Sequence, residues 1–251
     1  MSENRPFVLS IAGFDPSAGA GVLADVKTFE QHKVTGFAII TANTIQTENK
    51  FHEIQWTDLS FVTRSIETLF LSYKISAVKI GIVPSLHYLN GILSTIKLLS
   101  PTTKIVWDPV LKSTTEHEFM KLEDDVDLNQ ILAKTDLITP NQNEINVLFP
   151  DFLLNKLWLE KELPTNILLK GGHSKSEIGI DRLFLKNEII EMLPSQKKCS
   201  EKHGSGCVLS AAIASNLALK QTLQEACKNG KTYIEKYLSS TSTLIGYHYV
   251  Q

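Results

Sequence analysis

A lone cysteine beside two glycines stands at the start of a helix-forming segment, residues 202–214 (Lys-His-Gly-Ser-Gly-Cys-Val-Leu-Ser-Ala-Ala-Ile-Ala). The glycines predict a loop, and the alanine-rich run after them predicts a helix. Unpaired N–H groups and the helix dipole at such a junction favour a bound anion, typically a phosphate. The same positive field is expected to lower the pKa of Cys207 and make its thiol a proton acceptor near neutral pH. An ordinary loop with a buried cysteine is the alternative that these residues alone leave open.

Charged side chains also stand at the ends of predicted strands. Asp108 follows a buried strand that begins at Lys104, and Lys170 ends a later one. Ligands of an α/β sheet lie at the carboxyl ends of its strands, where a carboxylate suits a metal ion and a lysine suits a phosphate. Glu144 falls in the first turn of a predicted helix, where it is either a further ligand or a complement to the helix dipole.

The first strand, glycine loop and helix form half of a βαβ unit. Phe7–Ala12 predicts a buried strand, Gly13–Gly21 a loop, and the residues from Val22 an amphipathic helix. Residues 19–24 match the dinucleotide fingerprint G-x-G-x-x-A. An NAD site is nevertheless excluded, because the loop is too long for a Rossmann turn and the next strand, Phe37–Ala42, ends without an acid for a ribose.

The rest of the chain alternates helical and strand patterns, which predicts one α/β domain over residues 1–251. Gln46 lies in a polar run, Thr44–Asn49, where it either reads the edge of a heterocycle or is simply solvated. Further predicted elements are helices at Leu59–Leu71, Leu86–Leu99, Leu209–Leu219 and Leu223–Leu238, a strand at Ala77–Val83, and a small hairpin at Asp181–Leu185 and Glu188–Leu193.

The composition of the chain limits the kinds of molecule that the protein is expected to bind. The chain has 251 residues, 43% hydrophobic and 21% charged, with a net charge of −2. The absence of a basic excess argues against nucleic acid or an anionic membrane as the main partner and favours a small molecule. We predict a cytoplasmic protein, because no signal-peptide core or long apolar run is present. The three cysteines contain no C-x-x-C pair, so free thiols are expected.

Together these signals place a glycine loop, two acids, a lysine and an anion-binding helix start at the ends of successive βα units. Phosphoryl transfer from a nucleotide needs such a set, although no Walker motif or His-Arg-Asp loop is present. The chain resembles the hydroxymethylpyrimidine/phosphomethylpyrimidine kinases of thiamine biosynthesis, members of the ribokinase-like superfamily. The resemblance rests on Ile11–Gly21, Ala24–Phe29, Lys79–Gly81, Asp108–Val110, Leu137–Glu144, Lys170–His173 and His203–Ala212.

The resemblance implies a fold and an activity. The fold would be a three-layer α/β sandwich, with a mostly parallel sheet between helices and a small hairpin near the site. By the resemblance the enzyme would be a homodimer. It would use ATP and Mg²⁺ to phosphorylate the hydroxymethyl group of 4-amino-5-hydroxymethyl-2-methylpyrimidine and then its monophosphate. The resemblance leaves open whether both steps are catalysed.

The resemblance also implies roles for individual residues. Cys207 would take the hydroxyl proton, while the amides of Gly204, Ser205 and Gly206 hold the transferring phosphoryl group. Lys170 would neutralise the nucleotide phosphates, with Asn141 and Glu144 also contacting the nucleotide, and Asp108 and Glu144 would hold magnesium largely through water. The pyrimidine would lie against Gly13, Ala20, Asp25, Gln46, Ile82, Val110, Gly204 and Cys207.

Some positions depart from the family pattern. Ala18 and Ser205 replace a usual glycine and threonine, and Leu111–Thr115 lacks a common Ala-Lys-Ser-Gly run. With a compact region after His173, this predicts weaker closure of any lid. A pyridoxine or pyridoxal kinase is the nearest rival, because that vitamer is also a flat heterocycle with a hydroxymethyl group. A homologue that binds the pyrimidine without catalysis is the second rival.

Overall fold

The computed structural model describes residues 4–112, 118–120, 122, 127–150, 164–172, 178–186 and 188–248. The compact region after residue 173, on which the prediction of weaker lid closure rests, begins outside the described residues, and so does most of the departure at 111–115. None of the helices in the described ranges combines the length and the apolar character needed to cross a bilayer.

A nine-stranded sheet runs through the molecule. Its strands are β1 (Phe7–Phe14), β2 (Thr35–Gln46), β3 (Phe51–Trp56), β4 (Ile75–Ile80), β5 (Lys104–Trp107), β6 (Leu137–Ile138), β7 (Asn166–Leu169), β8 (Asp181–Leu185) and β9 (Glu188–Met192). Their order is β3-β2-β1-β4-β5-β6-β7-β8-β9. The six central strands, β2-β1-β4-β5-β6-β7 in sheet order, are parallel to one another. At one edge β3 pairs antiparallel with β2, and at the other edge β8 pairs antiparallel with β7 and β9 with β8. The carboxyl ends of the parallel strands therefore meet on one side of the sheet.

Helices cover both faces of this sheet. They are α1 (Gly21–Gln31), α2 (Leu59–Ser72), α3 (Leu86–Leu99), α4 (Leu128–Leu132), α5 (Gln142–Leu148), α6 (Ser205–Ala218) and α7 (Leu223–Leu238). One apolar core packs α2 and α3 on the sheet, and a second packs α1, α6 and α7 on the opposite face. The predicted three-layer α/β sandwich is confirmed.

The last three residues of strand β5, which follow the exposed Lys104, are apolar because both sides of the strand are covered there. Ile105 and Trp107 enter the first core, while Val106 between them enters the second. Alternate side chains of a strand point to opposite faces, so a strand covered on both sides needs apolar residues at every position. Burying each of these side chains stabilises the fold by roughly 1.5–3 kcal/mol. The strand ends where Asp108 begins, at the carboxyl edge.

The structure extends the predicted strand Phe37–Ala42 into the polar run Thr44–Asn49. Strand β2 continues to Gln46 and folds back as β3, which pairs from Ala42↔Trp56 to Gln46↔Phe51. The pairing satisfies backbone groups that a polar loop would have left to water. Thr44 also donates its hydroxyl to the carbonyl of Phe14, which fastens the hairpin to the end of β1. Gln46 therefore projects from a hairpin that extends past β1.

Candidate active site

The start of α6 lies directly on the first glycine loop. Gly204 caps the helix with φ +73°, a left-handed conformation that favours glycine. A Cβ atom there would overlap the carbonyl oxygen of Gly19 and would lie 2.7 Å from the Cα of Ala20. The helix behind it is buried from Val208 to Ala218, so its first turn is held rigidly. The two glycine segments, far apart in sequence, thus form one surface.

Two acids and a lysine converge beside this helix start. Lys170 Nζ lies 2.9 Å from Asp108 Oδ1 and 3.8 Å from Glu144 Oε2. Thr139 donates to the same Asp108 oxygen at 3.1 Å. A Cβ atom on Gly206 would lie 3.2 Å from Lys170 Nζ. Residues at the ends of β5 and β7 and at the start of α5 thus meet the first turn of α6.

Glu144 also caps its own helix. The Asn141 side chain accepts hydrogen bonds from the N–H groups of Asn143 and Glu144, at 2.8 and 3.0 Å. Glu144 Oε2 in turn accepts from the Asn141 N–H at 2.7 Å, which completes a capping box. The structural role predicted for Glu144 as a first-turn acid is therefore present, and the same oxygen faces Lys170.

Charge pairing sets the ionisation of this cluster. Burial alone would raise the pKa of Asp108, but the charges of Lys170 and Lys79 outweigh it and hold that pKa below its usual value. Burial would likewise lower the pKa of Lys170, yet Asp108 and Glu144 raise it. For Glu144 burial dominates over Lys170, so its pKa is raised. Asp108 and Lys170 are therefore a charged pair.

The cluster suits magnesium as proteins usually hold it. Mg²⁺ takes oxygen ligands and commonly uses one or two carboxylates, completing its shell with water and substrate phosphates. Asp108 and Glu144 supply two carboxylates next to the Thr139 hydroxyl. Within the described residues, no set of three or more His, Cys, Asp or Glu side chains is placed to enclose a metal by itself. The residues therefore fit a magnesium ion that arrives with a nucleotide.

The predicted shift of Cys207 is wrong in sign. Cys207 lies in the first turn of α6, as expected, but burial raises the pKa of its thiol. The charge of Lys79 is the largest influence in the opposite direction, and a backbone hydrogen bond from Gly21 adds to it. The local sequence indicated the positive field at the start of the helix, whereas the burial of the Cys207 thiol depends on how distant segments of the chain pack around it.

Asp25 lies beneath the site and not in its wall. Its side chain is fully buried, and its two carboxylate oxygens accept hydrogen bonds from Lys79 at 3.1 and 2.8 Å. Ser10 also donates to Asp25 Oδ2 at 2.5 Å. The direct substrate contact implied for Asp25 therefore has no exposed surface to use. Its partner Lys79, which sequence reasoning left without a role, is fully buried as well.

The remaining predicted contacts are partly brought together. A Cβ atom on Gly13 would overlap Ile82, so these two residues touch. Ala20 is beside Gly204, as described above. Val110 lies two residues past Asp108, to whose carbonyl its N–H donates at 2.8 Å. Gln46 is the last residue of β2, on the β2–β3 hairpin.

Sequence reasoning also missed a pair that joins the two glycine segments. Asp15 and His203 are both nearly buried, and His203 Nε2 lies 2.9 Å from Asp15 Oδ2. Asp15 accepts further hydrogen bonds from the N–H groups of Ser17 and Ala20, both at 2.9 Å. Asp15 lies in the motif Ile11–Gly21 and His203 in the motif His203–Ala212. A charged or titratable residue within each glycine segment was therefore the signal that could have indicated this pair.

The fold and this site define a ribokinase-like α/β protein. A solved phosphomethylpyrimidine kinase from Clostridium difficile 630 superposes with a TM-score of 0.76 at 30% identity, covering 92% of this chain and 98% of that one. The pyridoxal kinase of Staphylococcus aureus in complex with ADP superposes with a TM-score of 0.77 at 21% identity, over 94% and 89% of the two chains. At that identity the second likeness concerns the fold alone.

Sequence comparison identifies the family. The model of the phosphomethylpyrimidine kinase family matches residues 15–250. The hydroxymethylpyrimidine/phosphomethylpyrimidine kinase of Aquifex aeolicus is 31% identical, over 94% of this chain and 95% of its own. The kinase THI20 of Saccharomyces cerevisiae is 32% identical over 93% of this chain, which spans 46% of that longer relative. This chain belongs to the phosphomethylpyrimidine kinase family.

Proposed function

We propose that this protein transfers the γ-phosphoryl group of ATP to the hydroxymethyl group of 4-amino-5-hydroxymethyl-2-methylpyrimidine and then phosphorylates the monophosphate to the diphosphate. The observation that carries the proposal is the meeting of Cys207, the first turn of α6 and the Asp108–Lys170 pair at one edge of the sheet. Family membership supports the acceptor, and the ADP-bound neighbour of the same fold supports the donor.

In the first step Cys207 acts as the base. The ionised form of its thiol, which the charge of Lys79 favours against burial, takes the proton from the substrate hydroxyl. The substrate oxygen bonds to the γ-phosphorus as the bond from that phosphorus to the β–γ bridging oxygen breaks, releasing ADP. The N–H groups of Gly204, Ser205, Gly206 and Cys207 surround the transferring group, whose charge the start of α6 stabilises.

On the nucleotide side, charge is neutralised by Lys170. Its ammonium sits beside Gly206, within reach of a phosphate that rests on the helix start. Asn141 and Glu144 flank the same space from α5. Asp108 and Glu144 would hold magnesium, which supplies further charge neutralisation on the phosphates.

On the acceptor side, small residues leave room for a flat ring. Gly13, Ala20, Ile82 and Val110 would line the ring, with Gln46 reaching it from the β2–β3 hairpin to read its polar edge. We place Asp25 in a supporting role under this surface, because its side chain is fully buried.

The two phosphorylations make different demands on Cys207. An alcohol keeps its proton at neutral pH, so the first step needs a base. A phosphate monoester has a second pKa of about 6, so its attacking oxygen is already ionised. The second step therefore relies mainly on positioning and on charge neutralisation by Lys170 and the start of α6.

The test is ADP release from MgATP by the purified protein with three acceptors in parallel. Turnover on hydroxymethylpyrimidine and on its monophosphate is the expected result. Turnover on pyridoxal alone would overturn the choice of substrate while keeping the mechanism. Tight binding of the pyrimidine without ADP release would overturn catalysis. Size-exclusion chromatography with light scattering tests the homodimer that the resemblance implies.

A further inference from the structure

An ion pair is buried under the base. Lys79, on β4, and Asp25, on α1, both have 0% exposed side chains, and their charged atoms are 2.8 Å apart. The Ser10 hydroxyl donates to the same carboxylate. A buried pair often contributes nothing net to stability, because desolvating both charges costs about as much as their attraction returns. The fold alone therefore gives little reason for a lysine at this position.

The position of Lys79 relates it to the site. A Cβ atom on Gly81 would lie 3.1 Å from Lys79 Nζ, so the ammonium points past the end of β4 toward the carboxyl edge. Helix α6 packs across β4 and β5, and its first turn, which carries Cys207, lies at this edge beside Lys170 and Asp108. Lys79 is the strongest charge acting to lower the pKa of that thiol.

The other charged groups around the thiol act less strongly or in the opposite direction. Asp25 from α1 and Asp108 from the end of β5 both raise the pKa of Cys207. Lys170, from the end of β7, interacts with the thiol, as does the Tyr237 hydroxyl from α7. Burial and the two acids favour the neutral thiol of Cys207, and Lys79 is the main cation that favours its thiolate.

We propose that Lys79 is the positioning residue that makes Cys207 competent as a base, its ammonium being fixed by Asp25 and Ser10 under the first turn of α6. The inference rests on the proposed function for its catalytic consequence. Before proton transfer the ammonium stays paired with Asp25 and stabilises the thiolate through its charge. Afterwards the sulfur is neutral and Lys79 remains paired with Asp25, and the proton passes to water when the product leaves.

The experiment measures thiol ionisation directly and needs no turnover. In a Cys199→Ala background, which removes the exposed cysteine, the alkylation rate of Cys207 by iodoacetamide is followed against pH, with the modified peptide assigned by mass spectrometry. Lys79→Met is expected to raise the pH midpoint by about one unit, which lowers the rate at a pH below that midpoint roughly tenfold. Lys79→Arg, which keeps the charge, is expected to restore most of the midpoint.

Two further variants keep the test decisive. Lys231→Met removes the lysine of another nearly buried pair, with Asp181, and should leave the Cys207 midpoint unchanged. The double variant Lys79→Met with Asp25→Asn leaves no unpaired buried charge, so it is used if the single Lys79→Met variant fails to fold. Its pH midpoint of Cys207 alkylation is expected to rise by less, because Asp25 acts on the thiol in the direction opposite to Lys79. An unchanged midpoint in the folded Lys79 variant would overturn the proposal.

Kinetics then separate this inference from the proposed function. If Lys79 acts through Cys207, the pH midpoint of ADP release with hydroxymethylpyrimidine moves with the alkylation midpoint, and kcat falls more than KM changes. A shifted alkylation midpoint in a protein that releases no ADP would uphold the Lys79–Cys207 coupling and reject the kinase activity.

Discussion

His203 Nε2 lies 2.9 Å from Asp15 Oδ2, and this contact joins the glycine loop before α1 to the turn that begins α6. Burial would raise the pKa of Asp15, but hydrogen bonds from His203 and Ser17 hold it below its usual value. The carboxylate is therefore charged at neutral pH. Since Gly204 follows His203 directly, the contact fixes the helix start on which the proposed anion site depends.

Asp15→Asn is expected to lower kcat/KM on hydroxymethylpyrimidine by roughly 10- to 100-fold, because small displacements of a catalytic group are costly. We also expect a loss of about 1–3 kcal/mol in the free energy of unfolding, since His203 and backbone N–H groups lose a charged acceptor. Steady-state kinetics and urea unfolding measure the two effects. Asp127→Asn, the same change at the N-cap of α4, where asparagine caps as well as aspartate, is the control. A folded Asp15 variant with full kcat/KM would contradict the role given to the Asp15–His203 contact.

Gly204→Ala should be more harmful than Gly172→Ala. The left-handed backbone costs a non-glycine residue about 1–2 kcal/mol, and the new Cβ would overlap the Gly19 carbonyl. A drop of at least about 2 kcal/mol in unfolding free energy is expected, with loss of ADP release. Gly172→Ala is the matched control, because a Cβ there meets nothing within 4 Å. Equal stability of the two variants would refute this assignment.

Cys207→Ala is expected to separate the two phosphorylations. ADP release with the alcohol should fall by roughly 10²-fold or more, since the base is lost. With the monophosphate the loss should be at least tenfold smaller, because that acceptor ionises with a pKa of about 6. Cys199→Ala, at an exposed thiol, serves as control. Equal losses on both acceptors would show that Cys207 does not act by removing the hydroxyl proton.

Much of the scaffold could be predicted from local patterns. Helix α3 occupies the predicted Leu86–Leu99, and the hairpin β8–β9 differs from its prediction by one residue. These elements carry strong periodicity and clear ends, so their sequences suffice. Strand β3 was missed, because it is an edge strand that pairs with β2 and its residues alternate weakly.

The electrostatics of the site could not be predicted in the same way. The Asp25–Lys79 pair spans 54 positions in sequence and the Asp15–His203 pair spans 188. No local pattern reports such contacts. The error over Cys207 has the same origin: the helix start was visible in the sequence, whereas the burial that raises the pKa depends on the neighbours that the fold supplies.

Asp108→Asn should weaken the use of magnesium. The substitution preserves shape but removes one of the two carboxylates, so the Mg²⁺ concentration for half-maximal ADP release is expected to rise about tenfold or more. The titration is made at saturating ATP with each variant. Asp136→Asn is the control, because it alters a half-buried carboxylate that contacts Lys104 and Ile105 at the opposite end of β5 from Asp108. An unchanged magnesium requirement would remove Asp108 from the metal site.

A separate prediction concerns stability in acid and His248, which packs near α1 and α7. Its Nδ1 lies 3.2 Å from the Tyr233 hydroxyl, and its ring contacts Tyr237 with 4.8 Å between centroids. Its Nε2 is buried, with no hydrogen-bond partner among the described residues. Burial, aided by the charge of Lys27, lowers the pKa of His248 from 6.5 to about 4.

Because the unfolded chain protonates His248 near pH 6.5 and the folded protein only near pH 4, the unfolded state binds more protons between these values. The stability that comes from neutral His248 is therefore complete above pH 6.5 and is lost as the pH falls toward 4. His248→Phe should reduce the loss in unfolding free energy between pH 7 and 4.5 by roughly 1–3 kcal/mol, the lower part of that range reflecting partial exposure. Urea unfolding at the two pH values measures it, with His87→Phe at an exposed position of α3 as control. If the pH dependence of His248→Phe matched that of the parent protein, burial of the neutral imidazole would not be the source of acid sensitivity.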